Sequence, residues 1–166
     1  MLFSQNKTSQ GTLNEAIHMV ETYFRHRGLN PDNFKVQGSA ENGWWIHEGS
    51  AEVYIIVQSG NEEIGTVLRI SSPLVYIPET NREGLYRHLL ELNNNLSSCA
   101  LSIYNDLILV VSQRPTLGLS QEEMDELVWN AAYVADLLDN KIAEQFGAKL
   151  YGSGTYQQTL AQQKSN

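Results

Sequence analysis

Cysteine, histidine and paired carboxylates are the residue types from which this chain could build a reactive site. Cys99 is its single cysteine, in the stretch LLELNNNLSSCALSIYNDLILVVSQRP. A nucleophilic thiol needs its pKa lowered by a helix N-terminus, a cation or a histidine base. Cys99 instead follows the end of a helical pattern, at the negative end of the dipole, and shares its phase with Leu101 and Ile103. That placement predicts a small buried hydrophobe. The four histidines, His18, His26, His47 and His88, fall in neither HExxH nor CxxC-type spacing. His18 and Glu21 share one helix face without a third ligand in reach of sequence, so no metal site is expected. Asp136 and Asp139, three positions apart, could serve acid–base chemistry only if their surroundings drove their pKa values apart. Nothing flanking them does, and they read as a solvated face. Gly152-Ser-Gly154 does not join a clear strand to a capped helix and so makes no phosphate loop. Catalytic residues and cofactors are therefore expected to be absent.

The elements that would position such groups are easier to read. Thr12-Leu-Asn-Glu15, Thr80-Asn-Arg-Glu83 and Ser120-Gln-Glu-Glu123 each match the capping box, in which hydroxyl and glutamate satisfy free N–H groups reciprocally. A helical stripe follows each one. Leu13, Ile17, Val20 and Phe24 form the first, stopped by Gly28 and Pro31. Leu85, Leu89 and Leu92 form the second, with Tyr86 and Leu90 beside them. Met124, Leu127, Val128, Ala131, Ala135, Leu138 and Ile142 form the third, which ends near Gly147. Between the first two helices the period becomes two. Trp44 to His47, Val53 to Gln58 and Ile64 to Ile70 read as strands, with Gly60 to Glu63 as the turn between the last two. Phe34 to Gln37 is a candidate short edge strand. Cys99 to Ile103 and Leu107 to Gln113 form a hairpin about Asn105-Asp106, and Arg114-Pro115 ends it. Asn93, Asn94 and Asn95 are expected to supply a left-handed helix stop.

The order is α-β-β-β-α-β-β-α, an α+β domain with one mostly antiparallel five-stranded sheet packed against helices. It spans 12–150, between flexible tails at 1–11 and 151–166. At 166 residues and 42% hydrophobic, the chain suits one core. Nineteen acidic against eleven basic residues give a net charge of −8, which disfavours nucleic acid and anionic membranes as partners. Arg25, His26 and Arg27 are the one basic cluster, and they suit a helix C-terminus. One cysteine and no signal-like N-terminus point to the cytoplasm.

Apolar surface is in excess. Trp129, Tyr133 and Leu137 form a second stripe on the third helix, and Trp44-Trp45 sends one indole to each side of its strand. Tyr54 and Ile56 oppose Val53 and Ile55. One helical layer covers only one sheet face, and aromatic-rich patches mark interface cores. Trp44, Trp45, Tyr54, Ile56, Tyr86, Leu90, Trp129, Tyr133 and Leu137 are the candidate partner-binding or dimer surface.

This element order, with LYRHLLELNNNL leading through CALSIYNDLILVVSQRP into a long final helix, resembles the YbjN-like domain and its type III secretion chaperone-like fold. The resemblance implies a small acidic homodimer with an apolar groove for a partner polypeptide, and names no client. The expected function is a non-enzymatic, chaperone-like or regulatory protein-binding module. The alternatives are a small hydrolase using Cys99 or the Asp136 and Asp139 pair, and a ligand-sensing domain with its pocket under the second helix.

Overall fold

The computed structural model describes residues 9–37, 42–60 and 65–152, with side chains from Thr12 onward. Helix α1 runs Ser9–His26, followed by a single 3-10 turn at Pro31–Phe34. Strands β1 (Asn42–Glu48), β2 (Ala51–Ser59) and β3 (Thr66–Tyr76) precede helix α2 (Arg82–Asn93). Strands β4 (Ala100–Tyr104) and β5 (Leu107–Pro115) lead into helix α3 (Gln121–Phe146). The five strands form one antiparallel sheet in the order β1-β2-β3-β5-β4.

The α3 inner stripe is buried where its spacing requires, with Met124, Val128, Ala131, Ala135, Leu138 and Ile142 inside and Leu127 at the margin. Ala16, Val20, Tyr23 and Phe24 of α1 and Leu85 and Leu89 of α2 pack into the same core, against Val53, Ile55, Ile70, Ile108 and Val110. All three helices thus lie on one face of the sheet.

Of the three capping boxes, only the last forms. Ser120 Oγ accepts from the Glu123 N–H at 3.1 Å, and the Ser120 N–H donates to Glu123 Oε2 at 2.9 Å. Helix α1 starts at Ser9, which places Thr12 inside the helix, where the preceding turn already engages its backbone. The cap of α2 is Asn81, left-handed at φ 54°, with no side-chain cap bond. The motif needs an extended cap residue, whereas the cap position here falls to left-handed Asn81, one residue after Thr80.

The asparagine run also behaves differently from its expectation. Asn94 is right-handed, and the positive φ before β4 belongs to Ser98, at 60°. Asn93 has another task. Its Nδ2 donates to the Leu101 carbonyl at 3.1 Å, and its Oδ1 accepts from the Leu101 N–H at 2.6 Å. The side-chain amide occupies the outward backbone groups of an edge strand, which blunts that edge and ties α2 to the sheet. At the hairpin tip Asn105 has φ 51°, as its turn requires.

Strand β3 is longer than its apolar alternation indicates. Pairing with β2 reaches Tyr54–Ser71, and the register against β5 shifts between Pro73 and Val75. Proline has no N–H to offer the ladder. Beyond it another partner takes over, with the Tyr76 N–H donating to Lys149 at 2.8 Å and the Tyr151 N–H to Leu74 at 2.9 Å. Tyr151, expected in a tail, is therefore tied by its backbone to the end of β3, beside an isolated bridge from Leu150 to Val75. The rest of the expected tails, 1–8 and 153–166, lies outside the described residues, as do residues 61–63 of the expected Gly60–Glu63 turn. Phe34 to Gln37 gives one bridge, Lys35 to Trp44, in place of a strand.

The other sheet face carries a second cluster without a helical residue. Val36, Tyr54, Leu107 and Leu109 are buried there, with Trp45, Tyr76, Tyr104, Val111 and Tyr151 around them.

Candidate functional site

The outer face of α3 leaves a large apolar stripe in solvent. Trp129, Tyr133 and Leu137 are 62%, 53% and 42% exposed. They repeat every fourth residue, so they stand one above the other, a quarter-turn or more from the buried stripe. The rings of Trp129 and Tyr133 lie 5.2 Å apart and 7° from parallel, forming one flat aromatic platform. Monomeric proteins seldom leave contiguous patches of this kind uncovered. Beside Trp129 lies a small cleft of about 220 Å³ lined by Ser97, Ser98, Arg114, Glu123 and Glu126. Arg114 and Glu123 pair at 3.3 Å at its rim.

A second apolar surface lies on α2. Leu90 is 71% exposed and Tyr86 half-buried. With Glu83, Arg87, Glu91 and Asn94 they line a shallow depression of about 750 Å³. It lies on the outer side of α2, whereas the ligand-sensing alternative expected a pocket beneath that helix. Arg87 and Glu91 close one side as an ion pair of 2.9 Å.

The remaining candidates belong to the sheet, and most are buried within the chain. Trp44 is 2% exposed and joins the helical-side core, while Tyr54 and Ile56, at 0% and 3%, are buried on the opposite face. As partner surface these three are corrected to interior residues. Trp45 is half-buried beside His47, with ring centroids 5.4 Å apart. The nine candidates therefore separate into an α3 platform, an α2 depression and a sheet interior.

Groups capable of chemistry are engaged structurally. Cys99 is half-buried at the start of β4, with Asn130 Nδ2 donating to its sulfur at 3.6 Å. Burial pushes the thiol pKa up, and the Asn130 bond only partly opposes that. A raised pKa leaves less thiolate at a given pH. Alkylation of Cys99 by iodoacetamide is therefore expected to run slower than that of a free cysteine peptide, with its pH profile displaced upward. An equal rate at neutral pH would overturn this.

Asp136 accepts from the Ser50 hydroxyl, whereas Asp139 accepts from the Asn140 N–H at 2.5 Å. The two carboxylates thus serve separate partners. Arg27 pairs with Glu48 at 2.6 Å and lies over the Tyr23 ring, and Arg25 pairs with Glu21 at 2.8 Å. His88 packs against Phe146, with centroids 5.3 Å apart. Among the described residues no three His, Cys, Asp or Glu side chains gather as a metal site. No described helix is long and apolar enough to cross a membrane.

Sequence reasoning missed a buried polar knot on the helix-free face. The Tyr54 hydroxyl donates to Glu52, which is itself 4% exposed, and lies 3.4 Å from the Tyr151 hydroxyl. Burial and the Glu52 bond hold the Tyr54 pKa well above the ordinary phenol range. The alternation Glu52-Val53-Tyr54 places Glu52 and Tyr54 on one side, but only the tertiary pairing brings Tyr151 to them.

The TY-Chap1 family, described as T3SS (YopN, CesT) and YbjN peptide-binding chaperone 1, matches residues 33–152. This chain belongs to that family. Peptide binding is accordingly the function of this TY-Chap1 domain. The match covers the whole sheet, α2 and α3, and so includes both exposed stripes. Solved structures with a similar fold include the ExsC–ExsE complex, at TM-score 0.58 and 14% identity, with 78% of this chain and 95% of that chain covered. The HopA1–SchA chaperone–effector complex has TM-score 0.57 and 10% identity, covering 79% of this chain and 97% of that one. The heterodimeric ExoU–SpcU complex from the type III secretion system of Pseudomonas aeruginosa has TM-score 0.54 and 13% identity, covering 73% and 95%. No curated protein matches significantly. At these identities the structural likeness concerns the fold, the same three-helix, five-strand arrangement built here around the TY-Chap1 core.

Proposed function

We propose that this TY-Chap1 domain is a non-enzymatic, cytoplasmic bacterial chaperone or adaptor that acts as a homodimer and holds a partner polypeptide on the α3 platform. The observation that carries this reading is the parallel stack of Trp129 and Tyr133 in solvent. Flat aromatic side chains give large contact area at low entropic cost, which suits apolar segments of varied sequence. Glu126 and Asp136 lie one turn from the platform on the same helix, and the chain as a whole carries −8. A partner segment combining apolar anchors with Lys or Arg satisfies both features, the cations also meeting the ring faces. The same charge disfavours nucleic acid and anionic membranes. The engaged state of Cys99, Asp136 and Asp139 supports a binding role over hydrolysis. The related folds solved with a bound partner protein support the polypeptide class of the ligand.

An array of amphipathic peptides graded in basic content tests the reading. Binding should rise with apolar and basic residues together and vanish for acidic peptides; indifference to both would overturn it.

We assign dimerisation to the α2 depression. Two copies of α2 could bury Leu90 and Tyr86 against each other about a two-fold axis, where the same patch serves both partners. Leu90→Asp is expected to convert a dimer to a folded monomer in multi-angle light scattering, because a carboxylate without a partner is costly in such an interface. At 71% exposure the residue contributes little to the fold of the monomer itself. A wild-type monomer, or a dimer unaffected by Leu90→Asp, would remove this assignment.

A further inference from the structure

The cleft beside Trp129 differs in chemistry from the platform it adjoins. Ser97 and Ser98 of the α2–β4 connection, Arg114 of β5, and Glu123, Glu126 and Trp129 of α3 face into it. Its far wall is pinned in place. Asn130 Nδ2 donates to the Ser97 carbonyl at 2.8 Å and to Cys99 Sγ at 3.6 Å, and Ser98 turns the chain at φ 60°. At about 220 Å³ the cleft is smaller than the ~300–1,000 Å³ usual for a small-molecule site. It suits the end of one side chain.

Charge decides which side chain. Both oxygens of Glu123 are already engaged, Oε1 accepting from Arg114 at 3.3 Å and Oε2 from the Ser120 N–H at 2.9 Å. The same contact occupies Arg114. Glu126 makes no hydrogen bond or ion pair among the described residues, yet it lines the same cleft. It precedes Trp129 by three residues, so the two share one side of the helix. The cleft thus joins a free carboxylate to an aromatic ring that is 62% exposed. A cation answers both, by a charge-assisted bond to Glu126 and by resting against the Trp129 ring. An acidic side chain would instead face Glu126 with Arg114 already paired.

We propose that this cleft is a subsite for one Lys or Arg side chain of the partner polypeptide, and that it sets the register in which apolar side chains meet Trp129 and Tyr133. The register rests on the platform being the peptide site; the preference of the cleft for a cation does not. Trp129 and Tyr133 stand ~6 Å apart along the α3 axis, and Glu126 lies ~4.5 Å beyond Trp129, at ~1.5 Å per residue. An extended segment sets alternate residues ~6.6–6.8 Å apart. The cation therefore sits two positions outside a pair of apolar anchors that are themselves two apart. It belongs at one end of the trio, not in its middle.

Two measurements on the full chain test this, both read from the Trp129 indole N–H and the Asn130 side-chain amide in nitrogen-15 spectra. The first titrates N-acetyl-arginine methylamide, with the citrulline and glutamate counterparts as neutral and acidic controls. Only the arginine compound should shift both signals, and Glu126→Gln, at an exposed position, should weaken it about threefold or more. No shift, equal shifts by all three compounds, or unchanged affinity in Glu126→Gln would overturn the subsite. The second compares three peptides of one composition, with a single arginine two positions before, two positions after, or between two leucines. One flanking position should bind several-fold more tightly than the central one, and Glu126→Gln should erase the difference. Binding that ignores the position of the arginine would overturn the register while leaving peptide binding intact. A response to the arginine compound with no peptide bound would keep the cation subsite and remove the peptide-binding reading.

Discussion

Trp129→Ala combined with Tyr133→Ala is expected to leave the domain folded and to abolish its hold on basic amphipathic peptides. Both side chains stand more than half in water, at 62% and 53% exposed. Their removal takes away little buried area, and the main loss to the fold is the ring stack itself, about 1 kcal/mol. Binding is a different matter. Central aromatic anchors of an interface commonly contribute about 2 kcal/mol or more when truncated, which is about 30-fold in affinity for each. Titration calorimetry or fluorescence anisotropy with the best array peptide would measure the loss, and denaturant unfolding would measure the stability. Unchanged affinity with intact folding would place the peptide elsewhere. A fall in stability of several kcal/mol would instead make the platform part of the structural core.

The reverse outcome is expected for another tryptophan. Trp44→Ala should cost about 3–5 kcal/mol, the usual loss for a large aromatic truncated in a core that relaxes only partly. For a chain of this size that is a drop in Tm on the order of 10 °C. Trp44 is 2% exposed and packs with residues of α1 and α3 in the helical-side core. Its indole Nε1 is also buried without an acceptor among the described residues, and an unmet donor carries a penalty of about 1–3 kcal/mol. Trp44→Phe removes that donor and keeps most of the ring volume, so its cost should be small, below ~1.5 kcal/mol. If the phenylalanine variant proved as unstable as the alanine variant, the indole nitrogen would have a partner after all.

These two tryptophans show how far patterning reaches. Trp129 was legible as part of a second stripe because the α3 inner stripe is long and regular enough to fix which face is buried. Trp44 was not legible, because adjacent residues on a strand point to opposite faces and each face of this sheet has its own apolar cluster. Tyr54 and Ile56 failed for the same reason. Alternation identifies that a strand is apolar on both sides, but it cannot say whether the second side meets a partner or another part of the chain.

Capping sequences carried uneven information. Ser120-Gln-Glu-Glu123 formed its box, since the chain enters α3 with Ser120 extended, at ψ 164°. Thr12 and Thr80 offered the same side chains to backbones that arrive otherwise, one already helical and one led by left-handed Asn81. Asn93 reads in the sequence as part of a helix stop, yet its two bonds to Leu101 depend on an edge strand eight residues later.

The sequence by itself determined the element order, the antiparallel hairpins, the buried face of α3 and the acidic charge, all of which follow from local periodicity, turn chemistry and composition. Tertiary structure decided which apolar side chains remain in water, where Asn93 and Tyr151 find their partners, and that the Tyr54 face lies away from the helices. Those outcomes depend on side chains far apart along the chain competing for the same surface. A period of 2 or 3.6 residues records which side of an element is apolar; the residue that covers it is chosen only when the chain closes on itself.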